Sequence, residues 1–190
     1  MNAPAQAAFL VLAFVLSGIV HVAWLSSGAS MRLGQPLDGG LVLRGKRLFG
    51  DHKRVRGLVV IPPATAASFA GVRMAFSEAG VGDGLWAFDT PGYALLGLWA
   101  GMGFMLGELP NSFLKRQLGI PPGGVARTRG LRLFFLGFDR VDSILGLLVA
   151  LSLVVHTAPG LWLMLLLVGP GIHLLFSVAL SVSGVKERAA

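Results

Sequence analysis

AAFLVLAFVLSGIVHVAWL, Ala7 to Leu25, runs for nineteen residues without a charged side chain. About 20 apolar residues carry a helix across a bilayer, so this stretch alone places the chain among membrane proteins. Four more apolar blocks follow, approximately Leu58 to Phe76, Gly92 to Gly107, Asp142 to His156 and Leu161 to Ser183, of which the third and fourth are short. More than half of the chain is apolar and only 13% is charged. The expectation is an all-α polytopic membrane protein with about five transmembrane helices, a single integral-membrane domain over 1–190. No internal repeat, low-complexity tract or segment of soluble-domain size interrupts it.

Charge is distributed between the blocks in a way that orients them. Ser26 to Gly57 carries seven of the sixteen Lys and Arg residues, and Pro110 to Gly137 carries five more. The connection between the second and third blocks has none and holds Glu78, Asp83 and Asp89 instead. The positive-inside rule then puts two basic loops in the cytoplasm and the acidic connection outside. With an odd number of spans the N-terminus lies outside and the tail Lys186-Glu187-Arg188 inside. No Lys or Arg precedes the first span, so it is not read as a cleaved signal. The expected location is the cell inner or plasma membrane.

Local punctuation supports the partition. Thr90-Pro91 reads as a cap and first-turn pair for the third span, Pro159-Gly160 as a tight turn between the last two, and Pro62-Pro63 as a kink or delay in the second. Gly97, Gly101, Gly103 and Gly107 give two small-xxx-small spacings that let helices approach closely, with packing preferred over a ligand groove. The chain has no cysteine, which excludes disulfides and thiolate metal sites.

Two polar clusters stand where apolar runs meet the second basic loop: Gly107-Glu108-Leu109-Pro110-Asn111-Ser112-Phe113-Leu114-Lys115-Arg116 and Phe138-Asp139-Arg140-Val141-Asp142-Ser143. If the backbone stays helical past Pro110, Glu108, Ser112, Lys115 and Arg116 fall on roughly one face. Asp139 and Asp142, three apart at a helix start, repel each other unless a helix N-terminus or a cation relieves them. For an arbitrary Asp-x-x-Asp, capping and solvation are the ordinary explanation. Carboxylates gathered near hydrocarbon point instead to a metal-phosphate site.

The two clusters together resemble the signature of the CTP:phosphatidate cytidylyltransferase superfamily, in which Ser-x-x-Lys-Arg is followed, after a loop, by Asp-Arg-x-Asp. The first basic loop, with Pro36-Leu37-Asp38-Gly39-Gly40, then Gly45-Lys46-Arg47-Leu48-Phe49-Gly50-Asp51-His52-Lys53 and Arg56-Gly57, is similar to the CDP-archaeol synthase branch, bacterial relatives included. The resemblance runs from about Gln35 to Leu147. The superfamily usually has Asp where Glu108 stands, Arg44 and Arg54 occupy places where Asp and Thr are common, and the His-Gly-Gly that often precedes Asp-Arg is replaced by Gly137-Phe138.

The resemblance implies a CTP-dependent transfer in which a lipid phosphate attacks the α-phosphorus of CTP and pyrophosphate leaves. It implies Glu108, Asp139 and Asp142 as ligands of Mg²⁺, and Ser112, Lys115 and Arg116 as catalytic phosphate contacts. Lys46, Arg47, Lys53 and Arg56 would form the opposite wall, with Asp38 in the same substrate-binding loop. Taken alone, that loop would be an ordinary topology signal or anionic-lipid contact. Expected partners are CTP, a phosphatidate-type lipid, diacyl or geranylgeranyl ether, and the bilayer; a homo-oligomer is open, and no nucleic acid is expected. A CTP-dependent polyprenol or lipid kinase and a non-catalytic lipid- or partner-binding relative remain as alternatives. His21, His156 and His173 read as packed structural residues, Arg73 as snorkelling to the outer surface, and the four tryptophans as interfacial anchors or packing.

Overall fold

A computed structural model describes residues 2–182; the expected basic tail Lys186-Glu187-Arg188 and the end of the last span at Ser183 lie outside the described residues. The chain folds as α1 (Ala3–Leu25), a short hairpin of β1 (Val42–Leu43) and β2 (Lys46–Arg47), α2 (Val55–Glu78), α3 (Thr90–Gln117), α4 (Arg129–Phe138), α5 (Asp142–Ser152) and α6 (Pro159–Val182), with 3-10 turns at Gly28–Leu33 and Gly82–Gly84. Three of these helices, α1, α2 and α6, are long and apolar enough to cross a membrane.

The helix ends follow their local chemistry. Asn2 caps α1 by accepting from the Ala5 N–H. Asp89, not Thr90, caps α3, its carboxylate accepting from the Gly92 N–H at 2.8 Å, with Pro91 in the first turn. The cap moved one residue back because Asp89 has the extended backbone that a cap requires. Pro62 and Pro63 neither delay nor end α2, which runs unbroken from Val55. Pro159 starts α6 instead of turning the chain before it, which suits a residue with no N–H to satisfy.

Two expected spans have other lengths. The third continues through Pro110 to Gln117, a helix of 28 residues and roughly 42 Å at 1.5 Å per residue. The fourth stops at Ser152 after 11 residues, about 16 Å, half of a ~30 Å hydrocarbon core. Beyond it the chain is held open: the hydroxyls of Ser152 and Thr157 pair at 2.6 Å, and the indole N–H of Trp86 donates to the His156 carbonyl at 3.1 Å.

Helix α3 is the axis of the bundle, packed between α2 and α5, while α1 packs on α2 and α6. The glycines of α3 explain why. A Cβ at Gly97 would stand 2.7 Å from the Thr65 carbonyl and one at Gly101 2.8 Å from Pro62 Cα, both on α2; one at Gly107 would stand 2.6 Å from the Asp142 carbonyl on α5. Close helix approach is therefore what the expected small-residue spacing delivers, with α2 on one side and α5 on the other. Around this axis the core is aromatic toward the α2–α3 connection. Phe9, Phe69 and Tyr93 are fully buried, with Phe9 meeting the other two edge to face at 5.1 and 5.2 Å.

The first basic loop is ordered around one carboxylate. Arg44 and Gly45, both at positive φ, make the two-residue turn that joins β1 to β2. Asp38, buried to 4% exposure, accepts from the Gly40, Phe49 and Gly50 N–H groups at 3.0 to 3.1 Å and from Arg47 at 2.6 Å. Burial alone would push its carboxyl up, but Arg47 and the three backbone donors hold it well below the usual carboxylate range. The neck closes where Leu37 N–H donates to the Lys53 carbonyl at 2.7 Å and Val55 N–H to the Gln35 carbonyl at 3.0 Å.

Candidate functional site

The closed neck delivers Lys53 to the polar end of α3, where its ammonium pairs with Glu108. From there a continuous hydrogen-bonded chain crosses to α5. Ser143 Oγ donates to Glu108 Oε1 at 2.8 Å and lies 3.3 Å from Asp142 Oδ1, while the Ser143 N–H donates to the same Oδ1 at 2.7 Å. Asn111 Nδ2 donates to Asp142 Oδ2 and to Asp139 Oδ1, 2.6 Å each. Lys115 closes the row on Asp139, reaching Oδ2 at 2.6 Å. Three carboxylates, from α3, the end of α4 and the head of α5, thus share one network bounded by two ammonium groups.

The spacing that makes this possible is helical continuity past Pro110, which sets Glu108, Asn111, Ser112 and Lys115 on neighbouring turns. The absence of side chains at Gly103, Gly107 and Gly146 then lets the head of α5 close on α3, bringing Asp142 and Ser143 within reach. Desolvation pushes Lys53 down, but the charge and hydrogen bond of Glu108 together with the charges of Asp142 and Asp139 hold its ammonium above the ordinary lysine value. Opposite charges set side by side offset part of the cost of placing these groups beside hydrocarbon.

The network faces a cavity of about 780 Å³. Its polar wall includes Lys53, Arg56, Ser112, Lys115 and Arg116 beside the three carboxylates, and it extends between α1 and α6 along Leu10, Phe14, Leu165 and Phe176. A charged floor therefore opens into an apolar cleft. His21 and His173 line this cavity, so two of the histidines read as packing residues stand beside the polar network; His156 has its carbonyl engaged by Trp86 instead. Arg73 does not reach outward in isolation: its guanidinium lies 5.4 Å over the Tyr93 ring.

Of the five residues expected from the first loop, the structure brings Lys53 and Arg56 to the cavity wall. Asp38 is committed to folding the loop; Lys46 donates to the Gln117 carbonyl at the end of α3, and Arg47 pairs with Asp38 and, at 3.1 Å, with Asp51. The polar groups of these three are thus engaged within the first loop and at the end of α3. Arg47 instead lines a smaller pocket of about 230 Å³ with Arg116 and Gly50. Arg116 has Nε and Nη1 buried with no partner in the protein. Asn111 and Ser143 were missed in assigning roles, although both lie inside the two polar clusters. Their spacing of three from Glu108 and one from Asp142 was the available signal.

Mg²⁺ takes hard oxygen donors. Among the described residues no three His, Cys, Asp or Glu side chains converge into a ready-made metal cluster. The oxygens on hand are nevertheless of the kind that hard cations take, and Asn111 Oδ1 is buried with no protein donor. Glu108 and Asp139 each already hold an ammonium group, those of Lys53 and Lys115. The residues fit the ion by chemistry.

Known proteins resemble this chain along most of its length. The family profile described as CarS-like: CDP-archaeol synthase matches residues 7–188. A CDP-archaeol synthase of Halorubrum lacusprofundi is 32% identical over 166 residues, covering 82% of this chain and 83% of the relative. Those of Aeropyrum pernix and Saccharolobus islandicus (strain M.16.27) are 37% and 32% identical over 113 and 121 residues, or 59% and 63% of this chain. The matched region spans only 58% and 60% of those two relatives. A solved structure described as an intramembrane enzyme for archaeal membrane lipids biosynthesis shares the fold, with TM-score 0.59 and 23% identity over 89% of this chain and 91% of its own.

Proposed function

The chain belongs to the CarS-like CDP-archaeol synthase family, and on that premise we propose that it is an integral-membrane cytidylyltransferase acting on a phosphatidate-type lipid. The observation that carries this reading is the opening of the charged network of Lys53, Glu108, Asp142, Asp139 and Lys115 into the apolar cleft between α1 and α6. A lipid phosphate at the network can leave its chains in the cleft while nucleotide arrives from water. In the transfer an oxygen of the lipid phosphate forms a bond to the α-phosphorus of CTP, the bond to the β-phosphate bridge breaks, and pyrophosphate departs with that electron pair. A phosphate nucleophile is ionised near neutral pH, so the residues need supply no general base.

Both reactants are polyanions, and the work of the site is to hold them together. Arg116, with its unpartnered guanidinium nitrogens, and Arg56 face the space where phosphates would lie. Lys53 and Lys115 can exchange their carboxylate partners for phosphate oxygens. Glu108, Asp139, Asp142 and Asn111 Oδ1 are the donors that would hold Mg²⁺, which when bound would supply charge neutralisation to the attacking and leaving oxygens. Ser143 and Asn111 fix the carboxylates in register. Clustering of Lys and Arg on this side supports a cytoplasmic orientation.

Incubation of the purified protein with α-labelled CTP, Mg²⁺ and either diacyl or geranylgeranyl ether phosphatidic acid tests the proposal. A CDP-lipid with equimolar pyrophosphate is expected from one of the two lipids. Transfer of a γ-label would move the assignment to a lipid kinase, and no transfer by folded protein would overturn it.

A further inference from the structure

We propose that α4 is an in-plane membrane helix that seats its aromatic side in the headgroup boundary of an anionic bilayer, independently of the transfer reaction. The helix is ten residues long, roughly 15 Å, too short to cross a bilayer. Leu131, Phe134, Phe135 and Phe138 recur at i, i+3, i+4 and i+7, one side of a helical wheel. On that side Phe135 packs within the protein, at 5% exposure against Ile120 and Ala126 and under the Lys115 ammonium, 5.3 Å from its ring, and Phe138 is partly buried. Phe134 stays 53% exposed while stacked on Phe138 at 5.4 Å, and Leu131 is 40% exposed.

Position and charge name the occupant. Three residues separate the end of α4 from apolar α5, so the helix is tethered at the level where the bundle enters the bilayer. Arg127 precedes the helix and Arg129 opens it; both are exposed, and among the described residues the ion pairs engage other cations. Exposed aromatic side chains beside unpaired arginines match the apolar boundary and the phosphates of an anionic leaflet. A helix that lies this way also holds Asp139, the next residue, at the depth of a lipid headgroup.

The cysteine-free chain allows a direct test. Leu131→Cys, Phe134→Cys and Leu133→Cys proteins, each labelled with an environment-sensitive fluorophore, are reconstituted in phosphatidylcholine vesicles with or without phosphatidylglycerol. Leu133, itself 59% exposed, is about 200° round from Leu131 at ~100° per residue and serves as the control on the opposite side. Labels at 131 and 134 should be blue-shifted and quenched several-fold more by headgroup-proximal nitroxide lipid than by iodide, with the reverse at 133. Arg127→Gln with Arg129→Gln should weaken the lipid quenching at 134 in the phosphatidylglycerol vesicles. Equal iodide access at all three positions would overturn the proposal. So would protection at 131 and 134 that is the same in detergent as in both vesicles, since that would mean a protein cover.

Discussion

Asn111 on α3 donates to Asp142 at the head of α5 across 2.6 Å, and the same nitrogen reaches Asp139 at 2.6 Å. One neutral amide thus bridges two carboxylates that would otherwise repel, and its buried Oδ1 is left without a donor. Asn111→Ala removes the bridge. Hydrogen bonds to charged groups are each worth about 1.5–3 kcal/mol, so a loss of about 2–4 kcal/mol in thermal unfolding is expected. Cytidylyl transfer should fall by at least about 100-fold. Asn111→Asp keeps the size but adds a fourth carboxylate to the network, and Mg²⁺ should recover more stability in that variant than in Asn111→Ala. Identical Mg²⁺ responses in the two variants would refute a cation-facing role for this position.

Lys53 and Glu108 form the ion pair that ties the first loop to α3, with 26% and 20% of the two side chains exposed. Breaking one side of such a pair costs about 3–5 kcal/mol because the other charge is left desolvated. Lys53→Met should fall at the lower end, near 3 kcal/mol, given the residual exposure. Adding Glu108→Gln should restore most of that stability, as the stranded charge disappears. Activity should remain lost in the double variant. Recovery of turnover in that protein, measured with labelled CTP, would mean the pair is structural only.

The contact of α3 with α5 sets the position of Asp142. A Cβ at Gly146 would collide with the Gly103 carbonyl and stand 2.5 Å from Gly107 Cα. Gly146→Ala should cost about 1–3 kcal/mol through overpacking and should lower turnover more than stability, by moving Asp142 away from Glu108. Gly71, with open space around its would-be Cβ, is the control; its alanine variant should gain up to about 1 kcal/mol from helix propensity. Differential scanning in detergent beside a turnover assay separates the two effects.

The long apolar helices were legible because an uncharged run of this length has few other solutions in water or lipid. The end of α5 was not, since Leu153-Val154-Val155 continues the apolar pattern while Trp86, 70 residues away, claims the His156 carbonyl. In the site, Glu108, Asp139, Asp142, Lys53 and Lys115 announced themselves as charges beside hydrocarbon. Asn111 and Ser143 are polar but uncharged, and their function exists only once α5 is laid against the glycines of α3. Asp38 is the complementary case. It sits among cations in sequence, yet three of its four partners are backbone N–H groups that only the hairpin brings together.

Asp38 therefore supplies a stability prediction with a definite pH sign. Its carboxyl is held well below the usual range in the folded protein, so its contribution is present above the unfolded value of about 3.9 and is lost as pH falls from there toward the depressed folded value. The loop over 36–54 should resist proteolysis unchanged from pH 7 down to about 4 and open below it. Asp38→Asn should open the loop already at neutral pH, since an amide cannot accept from Arg47 and three backbone donors as a carboxylate does. The loss of Arg47 as a strong partner sets the expected scale, about 1.5–3 kcal/mol for a charged hydrogen bond. Because the same loop presents Lys53 to Glu108, transfer activity should fall with it. Limited proteolysis and turnover, followed together across that pH range, should then change in parallel, and a protected loop in Asp38→Asn would show that the hairpin alone orders it.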